Sequence, residues 1–109
     1  MLLRIWRTGV DPARRDEYGQ FEREHSAPMF REQPGCLGVF FVRLSASEAA
    51  ACTIWRTQAD IDRLPTDRRY QATVARLEAT GLLTGSQQVE VAPIVHSWLS
   101  VADLVATAD

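Results

Sequence analysis

The sequence contains no lysine and no asparagine, and it is sparing with cysteine, histidine and long apolar runs. Without lysine there is no side-chain amine for Schiff-base chemistry, which excludes aldimine-forming enzymes, those that use pyridoxal included. No apolar run approaches the ~20 residues that a membrane-spanning helix requires. The N-terminal MLLRIWRTG is interrupted by Arg4 and Arg7 rather than ordered as a charged and then apolar leader, so a cytoplasmic protein is the expectation. An excess of positive charge is missing too. Twelve basic residues stand against 14 acidic ones for a net charge of −2, too little clustered charge for the counterion release that drives nucleic-acid binding. The Arg68-Arg69 pair reads as a solvated helix end.

The two cysteines, Cys36 and Cys52, fall on the two arms of an expected hairpin. A turn centred on Ser45 to Glu48 sets Cys52 opposite Phe41 or Val42, about 16–20 Å from Cys36 at ~3.3 Å per residue. A disulfide needs Cα atoms within about 7 Å, so both cysteines are expected to be buried small hydrophobes. A metal-ligand cluster, a glycine-rich phosphate loop and a persuasive His-Ser-Asp set are all missing from the pattern. The expectation is a protein with no cofactor and no metal, colourless when purified.

What is present is the composition of an ordinary globular domain: of 109 residues, 46% are hydrophobic and 24% charged. A chain of that length buries roughly two-thirds of its unfolded surface in one core. Its centre is Cys36 to Arg56, where Val39-Phe40-Phe41-Val42 and Thr53-Ile54-Trp55 are β-branched or aromatic in succession around a polar turn. A hairpin apolar on both faces demands cover on both sides.

Before it, Leu2 to Thr8 reads as a strand. Asp11 with Pro12 at the first position then starts a helix whose stripe is Tyr18, Phe21, His25 and Met29, a 3-4-4 spacing. Pro28 is expected to kink or end the regular helix near Ala27, with room for a last turn around Met29 and Phe30 before Pro34-Gly35. After the hairpin, Thr57 or Asp60 caps a short turn running to Leu64 and broken at Pro65. Thr66 or Asp67 then opens a second helix with Tyr70, Val74 and Leu77 on one stripe, Thr73 alongside and Gly81 as its stop. Gln88 to Leu99 alternates as a last strand with Pro93 at an edge or bulge.

Residues 1–99 thus form one domain. Residues 100–109 form a tail in which Ser100 and Asp103 resemble a capping box before a weak helix that is short or disordered. The order β, α, β, β, α, β gives an α+β, ferredoxin-like βαββαβ fold with a four-stranded antiparallel sheet and both helices on one face. The bare face then calls for a second sheet, which a two-fold homodimer supplies.

Several side chains are candidates for a site between helices and sheet. His25 on the apolar stripe reads either as a base of ordinary pKa ~6.5 facing a cleft or as a core histidine with a backbone partner. Tyr70 faces the same interior from the second helix, as a site residue or as a buried aromatic whose hydroxyl reaches the surface. Trp55 ends the third strand, as a flat wall for a planar ligand or as core. Arg7 reads as the partner of an enolate or carboxylate, or of an acidic neighbour. Phe21, Met29, Phe40 and Val74 complete the expected substrate-binding lining. Trp6 and Trp98 read as core or dimer packing on neighbouring strands, and His96 as structural.

Three segments together, LLRIWR before the Pro-capped helix, QPGCLG entering the hairpin and TIWRTQADIDRL closing it, resemble the antibiotic biosynthesis monooxygenase type of dimeric α/β barrel over most of residues 2–99. The resemblance implies a homodimer with a cleft between helices and sheet in each subunit. It also implies membership among cofactor-free oxygenases of polycyclic phenols, quinol oxygenases, haem-degrading enzymes and proteins of unknown role. Haem degraders of that family use a histidine on the second helix and an asparagine on the first strand. This chain has Arg69 where many relatives have histidine, and no Asn.

Of the Asn, Trp and Tyr set of the quinone-forming oxygenases, Trp55 and Tyr70 are candidate matches, and a substitute for the Asn has to be found. The leading expectation is a cofactor-independent monooxygenase of an electron-rich aromatic, a phenol, quinol or polyketide-derived compound, with O₂. In it His25 acts as base while Tyr70 and Trp55 position the substrate. The alternatives are a polyketide cyclase using the same cleft and a dimeric protein that binds an apolar ligand without turnover.

Overall fold

The computed structural model describes residues 1–104. Four strands form one antiparallel sheet in the order β2-β3-β1-β4, with β1 at Leu2–Val10, β2 at Cys36–Ser45, β3 at Glu48–Trp55 and β4 at Leu83–Pro93. The fold is ferredoxin-like α+β, as the element order predicts. The helices pack on one face, so alternation along each strand divides its side chains between a covered and a bare side. Leu2, Arg4, Trp6 and Thr8 of β1 align across the sheet with Trp55, Thr53, Ala51 and Ala49 of β3 on the covered side. Leu3, Ile5 and Arg7 align with Ile54, Cys52 and Ala50 on the other.

The hairpin turn is tighter than the polar stretch suggests, with only Ala46 and Ser47 between strands. A register irregularity between Arg43 and Ser45 places Phe40, rather than Phe41 or Val42, opposite Cys52. Both cysteines are free and half-buried, and burial pushes their thiols up.

Between β1 and β2 the chain is one helical run with a change of pitch inside it. Asp11 caps a 3₁₀ turn at Pro12–Arg14 by accepting from the Ala13 amide at 3.0 Å. Then come α1 (Arg15–Phe21), a π-helical segment (Glu22–Ser26) and α2 (Ala27–Arg31). The regular α-helix is interrupted just before Ala27, as Pro28 leads one to expect, and the last turn around Met29 and Phe30 extends to Arg31. Proline has no amide to donate and its ring crowds the preceding turn. The wider pitch meets that demand, with the Ala27 amide bonding the Glu22 carbonyl five residues back. One residue is thereby inserted into the helical repeat, and the buried positions run Tyr18, Phe21, Ser26, Met29 and Phe30.

After β3, Thr57 caps α3 (Gln58–Asp62) by accepting from the Asp60 amide, and a 3₁₀ turn at Leu64–Thr66 holds Pro65. Asp67 caps α4 (Arg68–Ala79) through the Tyr70 amide at 2.8 Å, and Gly81 at φ 71° ends it. Strand β4 lies earlier in the chain than the alternation at Gln88 to Leu99 suggests. Gly85, at φ 65°, sits inside it, next to a register irregularity between Arg7 and Gly9 of β1. Pro93 ends the strand, since it has no amide to continue the ladder.

Trp98 therefore lies beyond the sheet, 83% exposed, and does not pair with the Trp6 strand. His96 is exposed in the same segment. Ser100 opens a short α5 (Val101–Leu104) with its hydroxyl on Asp103 at 2.8 Å. The rest of the expected tail helix lies outside the described residues. No described helix is long and apolar enough to cross a membrane.

Candidate active site: a cleft between the helices and the sheet

Two packed clusters tie the helices to the sheet: Val10, Tyr18, Phe21, Ala49, Leu77 and Leu82 at one end, and Met29, Phe30, Trp55, Ile61 and Leu64 at the other. Between them they leave a cleft whose floor is Arg4 and Trp6 of β1, Phe41 of β2 and Ala51 of β3. Its walls are Tyr18, Ser26, Met29 and Phe30 on one side and Tyr70, Thr73, Val74 and Leu77 on the other. Alanine at position 51 is one reason there is space, because Trp6 and Phe41 are its neighbours across the two ladders. Cleft and mouth together hold about 420 Å³, of which about 40 Å³ admits the centre of a water molecule. A water needs roughly 10–15 Å³ by that measure, so the resting cleft takes a few waters.

Three of the residues expected at the site are there: Tyr70, Met29 and Val74. His25 is not. The inserted π residue turns the inward position over to Ser26 and leaves His25 in an outer groove with Glu24, Pro28, Arg69, Ala72, Thr73 and Arg76. There its ring packs on Phe21 at 4.8 Å, and Nδ1 accepts from the Arg76 guanidinium at 3.3 Å. Trp55 has no exposed surface and forms no wall of the cleft. Its indole N–H donates to Thr53 Oγ1 at 2.7 Å, and Thr53 in turn donates to the Arg4 carbonyl. It therefore steadies the backbone of the cleft floor through Thr53.

Phe21 is buried in the first cluster rather than lining the cleft. Arg7 and Phe40 lie on the bare side of the sheet, because each is one residue out of phase with the covered positions of its strand. Arg7 pairs with Glu90 there at 3.6 Å, the acidic-neighbour alternative.

The residue that the sequence pattern did not single out is Arg4. It is 6% exposed and donates to the Tyr70 hydroxyl at 3.0 Å, with its guanidinium 5.8 Å from the centre of that ring. Tyr70 is itself held by the Asp67 cap at its own amide and by Phe30, whose ring centre is 6.4 Å away. The Tyr18 hydroxyl on the opposite wall is held protonated by burial, which pushes its pKa up. Among the described residues no group of three or more His, Cys, Asp or Glu side chains is arranged to hold a metal.

No family model matches the chain, and no curated protein matches it in sequence. Its likeness is to solved structures. The ActVA-Orf6 monooxygenase of Streptomyces coelicolor, in complex with the ligand nanaomycin D, has a TM-score of 0.75 against it, with 16% identity over 91% of each chain. SnoaB, a cofactor-independent oxygenase from Streptomyces nogalater, has a TM-score of 0.69 and 18% identity over 88% of this chain and 94% of that one. A protein of unknown function from Nitrosomonas europaea has a TM-score of 0.73 and 16% identity over 91% and 93%. The fold of this chain is the fold of structures named antibiotic biosynthesis monooxygenases.

Proposed function

We propose that this chain is a cofactor-independent monooxygenase that acts, with O₂, on an electron-rich aromatic, a phenol, quinol or polyketide-derived compound, bound in the cleft between helices and sheet. The observation that carries the reading is the cleft itself, apolar on nearly every wall, with Arg4 on its floor bonded to Tyr70 on its wall. It occurs in a fold shared with two proteins named as oxygenases. Oxidation of a phenol to a quinone needs no external reductant. The ring supplies four electrons, one oxygen atom enters a ring carbon and the other leaves as water. The protein's part is then to exclude bulk water, orient the ring and favour its ionised form, which is the more readily oxidised. With His25 in the outer groove, charge stabilisation at Arg4 replaces a histidine base in this reading.

A second copy of the chain covering the bare face of the sheet completes the proposal. That face carries Phe40 and Val42, both exposed, beside Ile5, Cys52 and Ile54, an apolar surface that a monomer rarely leaves to water. The test is oxygen uptake with a polycyclic phenol in metal-free, flavin-free buffer. One O₂ consumed per quinone formed, dependent on protein, is the expected result. Ring closure of a polyketide without oxygen uptake, or tight binding without product, would overturn it in favour of a cyclase or of a binding protein.

A further inference from the structure

Arg4 is the one arginine in the buried class among the described residues. Arg7, Arg14, Arg63 and Arg69 each pair with a carboxylate. Arg4 does not, and the other residues lining the cleft carry no charge at all. A guanidinium withdrawn from water without a counter-charge is costly to keep. Its sole side-chain partner, the Tyr70 hydroxyl, accepts from it, which leaves the Tyr70 proton without an acceptor among the described side chains. No buried side-chain nitrogen or oxygen among the described residues lacks a partner. The guanidinium nitrogens not engaged with Tyr70 therefore keep some accessible surface, and Arg4 is one of the residues that line the cleft. One cation and one neutral phenol, bonded to each other, thus line an apolar space that offers them no anion.

We infer that Arg4 and Tyr70 form an oxyanion site, and that the ligand of this cleft is an apolar, ring-sized body carrying one ionised oxygen group, a carboxylate or a phenolate, that the pair receives. This deepens the proposed function by naming the charge of its substrate. It rests on the cleft being the working site and not on oxygen chemistry. An acceptor-only group satisfies both donors, and its charge cancels the one charge on the lining. A neutral hydroxyl or amide oxygen can accept from both but leaves that charge uncancelled. The approach of the ligand also replaces the few waters that occupy the resting cleft, so discrimination between charged and neutral ligands is made in a poorly hydrated space.

Matched probes test this on the whole protein, under argon so that no turnover intervenes, with the fluorescence of the cleft tryptophan, Trp6, as readout. The unmodified protein is expected to bind 2-naphthoate about 10–100-fold more tightly than 2-naphthamide, the range of a charge-assisted hydrogen bond. Its affinity for 2-naphthol should rise as the pH passes through that ligand's own ionisation. A naphthoate preference without the naphthol effect assigns the anion as a carboxylate, and the reverse assigns it as a phenolate; either supports the site. Arg4→Met should reduce the naphthoate preference to about threefold or less, with Arg4→Lys keeping part of it.

Equal affinities for naphthoate and naphthamide together with a flat naphthol profile would overturn the inference, as would failure of all three probes to bind. A preference that survives Arg4→Met in a folded protein would do so as well. If Arg4→Met does not fold, the wild-type comparison decides alone. Oxygen uptake is scored separately: anion preference without uptake sinks the monooxygenase reading and leaves this one standing, and uptake without anion preference does the opposite.

Discussion

Arg4 and Arg7 sit three residues apart on one strand and differ in almost everything else. Arg7 points to the bare face, half in water, against Glu90. Arg4 points beneath the helices, buried, against a tyrosine. The odd spacing that separates them sends them to opposite sides of the sheet, where the same cation has different work available. On the bare side a pair such as Arg7 and Glu90 is screened and contributes about 0–1 kcal/mol. On the covered side a charge keeps most of its field and acts on whatever enters the cleft. The same contrast extends to the apolar residues: Ala51 and Phe41 on the covered face end in contact with helices, whereas Phe40 and Val42 on the bare face end in solvent.

The strongest way to break this comparison is to charge the bare face. If a second copy covers it, Val42→Asp places an unpaired carboxylate in an apolar interface, at a cost of about 3 kcal/mol or more. Light scattering is expected to find the unmodified protein at twice 12.2 kDa and the variant near 12.2 kDa with a lower melting temperature. An unmodified protein that already runs at 12.2 kDa would show that the bare face is bare in solution.

Much of the covered face was legible in the sequence. Tyr70, Thr73, Val74 and Leu77 follow from helical spacing, and the Asp11-Pro12 and Asp67 starts are read from capping chemistry that acts within a few residues. What escaped depends on contacts between distant segments. The π turn is chosen where Pro28 removes a bond and tertiary packing decides which carbonyl is shared, so the 3-4-4 stripe placed His25 inward when Ser26 takes that position. Arg4 escaped because a charge on an alternating strand reads as a solvated position. A signal was available in its phase, since Arg4 falls on the same alternation as Trp6. That its cross-strand neighbours are Thr53 and Val91, neither of them an acid, could be known only once the register was. Arg7 and Phe40 have the side-chain chemistry of a cleft, but only the register of their strands decides that they face the bare side.

A smaller effect sharpens the boundary of the covered face. Glu22, on the π segment, is partly buried between α1 and β2, and burial pushes its carboxyl up to about 7 against the pull of Arg15, Arg23 and Arg43. The folded state then holds a proton that the unfolded chain releases near 4.5. The stability this contributes is present below the unfolded value and is lost as the pH rises through about 7. Glu22→Gln should therefore stabilise the protein at about pH 8 by roughly 1–2 kcal/mol, a figure reduced for solvent screening of a partly exposed group. It should change little at acid pH. Urea melts at the two pH values check this, and a gain from the variant that is equal at both would show that folding does not shift the Glu22 carboxyl.

The smallest expected effect is at His25, and it asks whether the cleft reaches through the helix to its outer side. A general base in the cleft contributes roughly 10²–10⁴-fold to turnover. His25 lines the outer groove, and its Nδ1 already accepts from Arg76. Glutamine can accept that same bond through its side-chain oxygen, so His25→Gln is expected to keep the fold, the affinity for 2-naphthoate and turnover of any established phenolic substrate within about threefold. Tyr70→Phe is the contrasting change. It keeps the ring that packs on Phe30 but takes away the hydroxyl that Arg4 holds, and it should lower naphthoate affinity by about 10–100-fold, the worth of a hydrogen bond to a charged group. A hundredfold loss of turnover in His25→Gln, with naphthoate affinity unchanged, would mean that the helix opens during the reaction and that the π turn is where it does so. The base role read from the apolar stripe would then be restored in a conformation in which His25, rather than Ser26, faces the sheet.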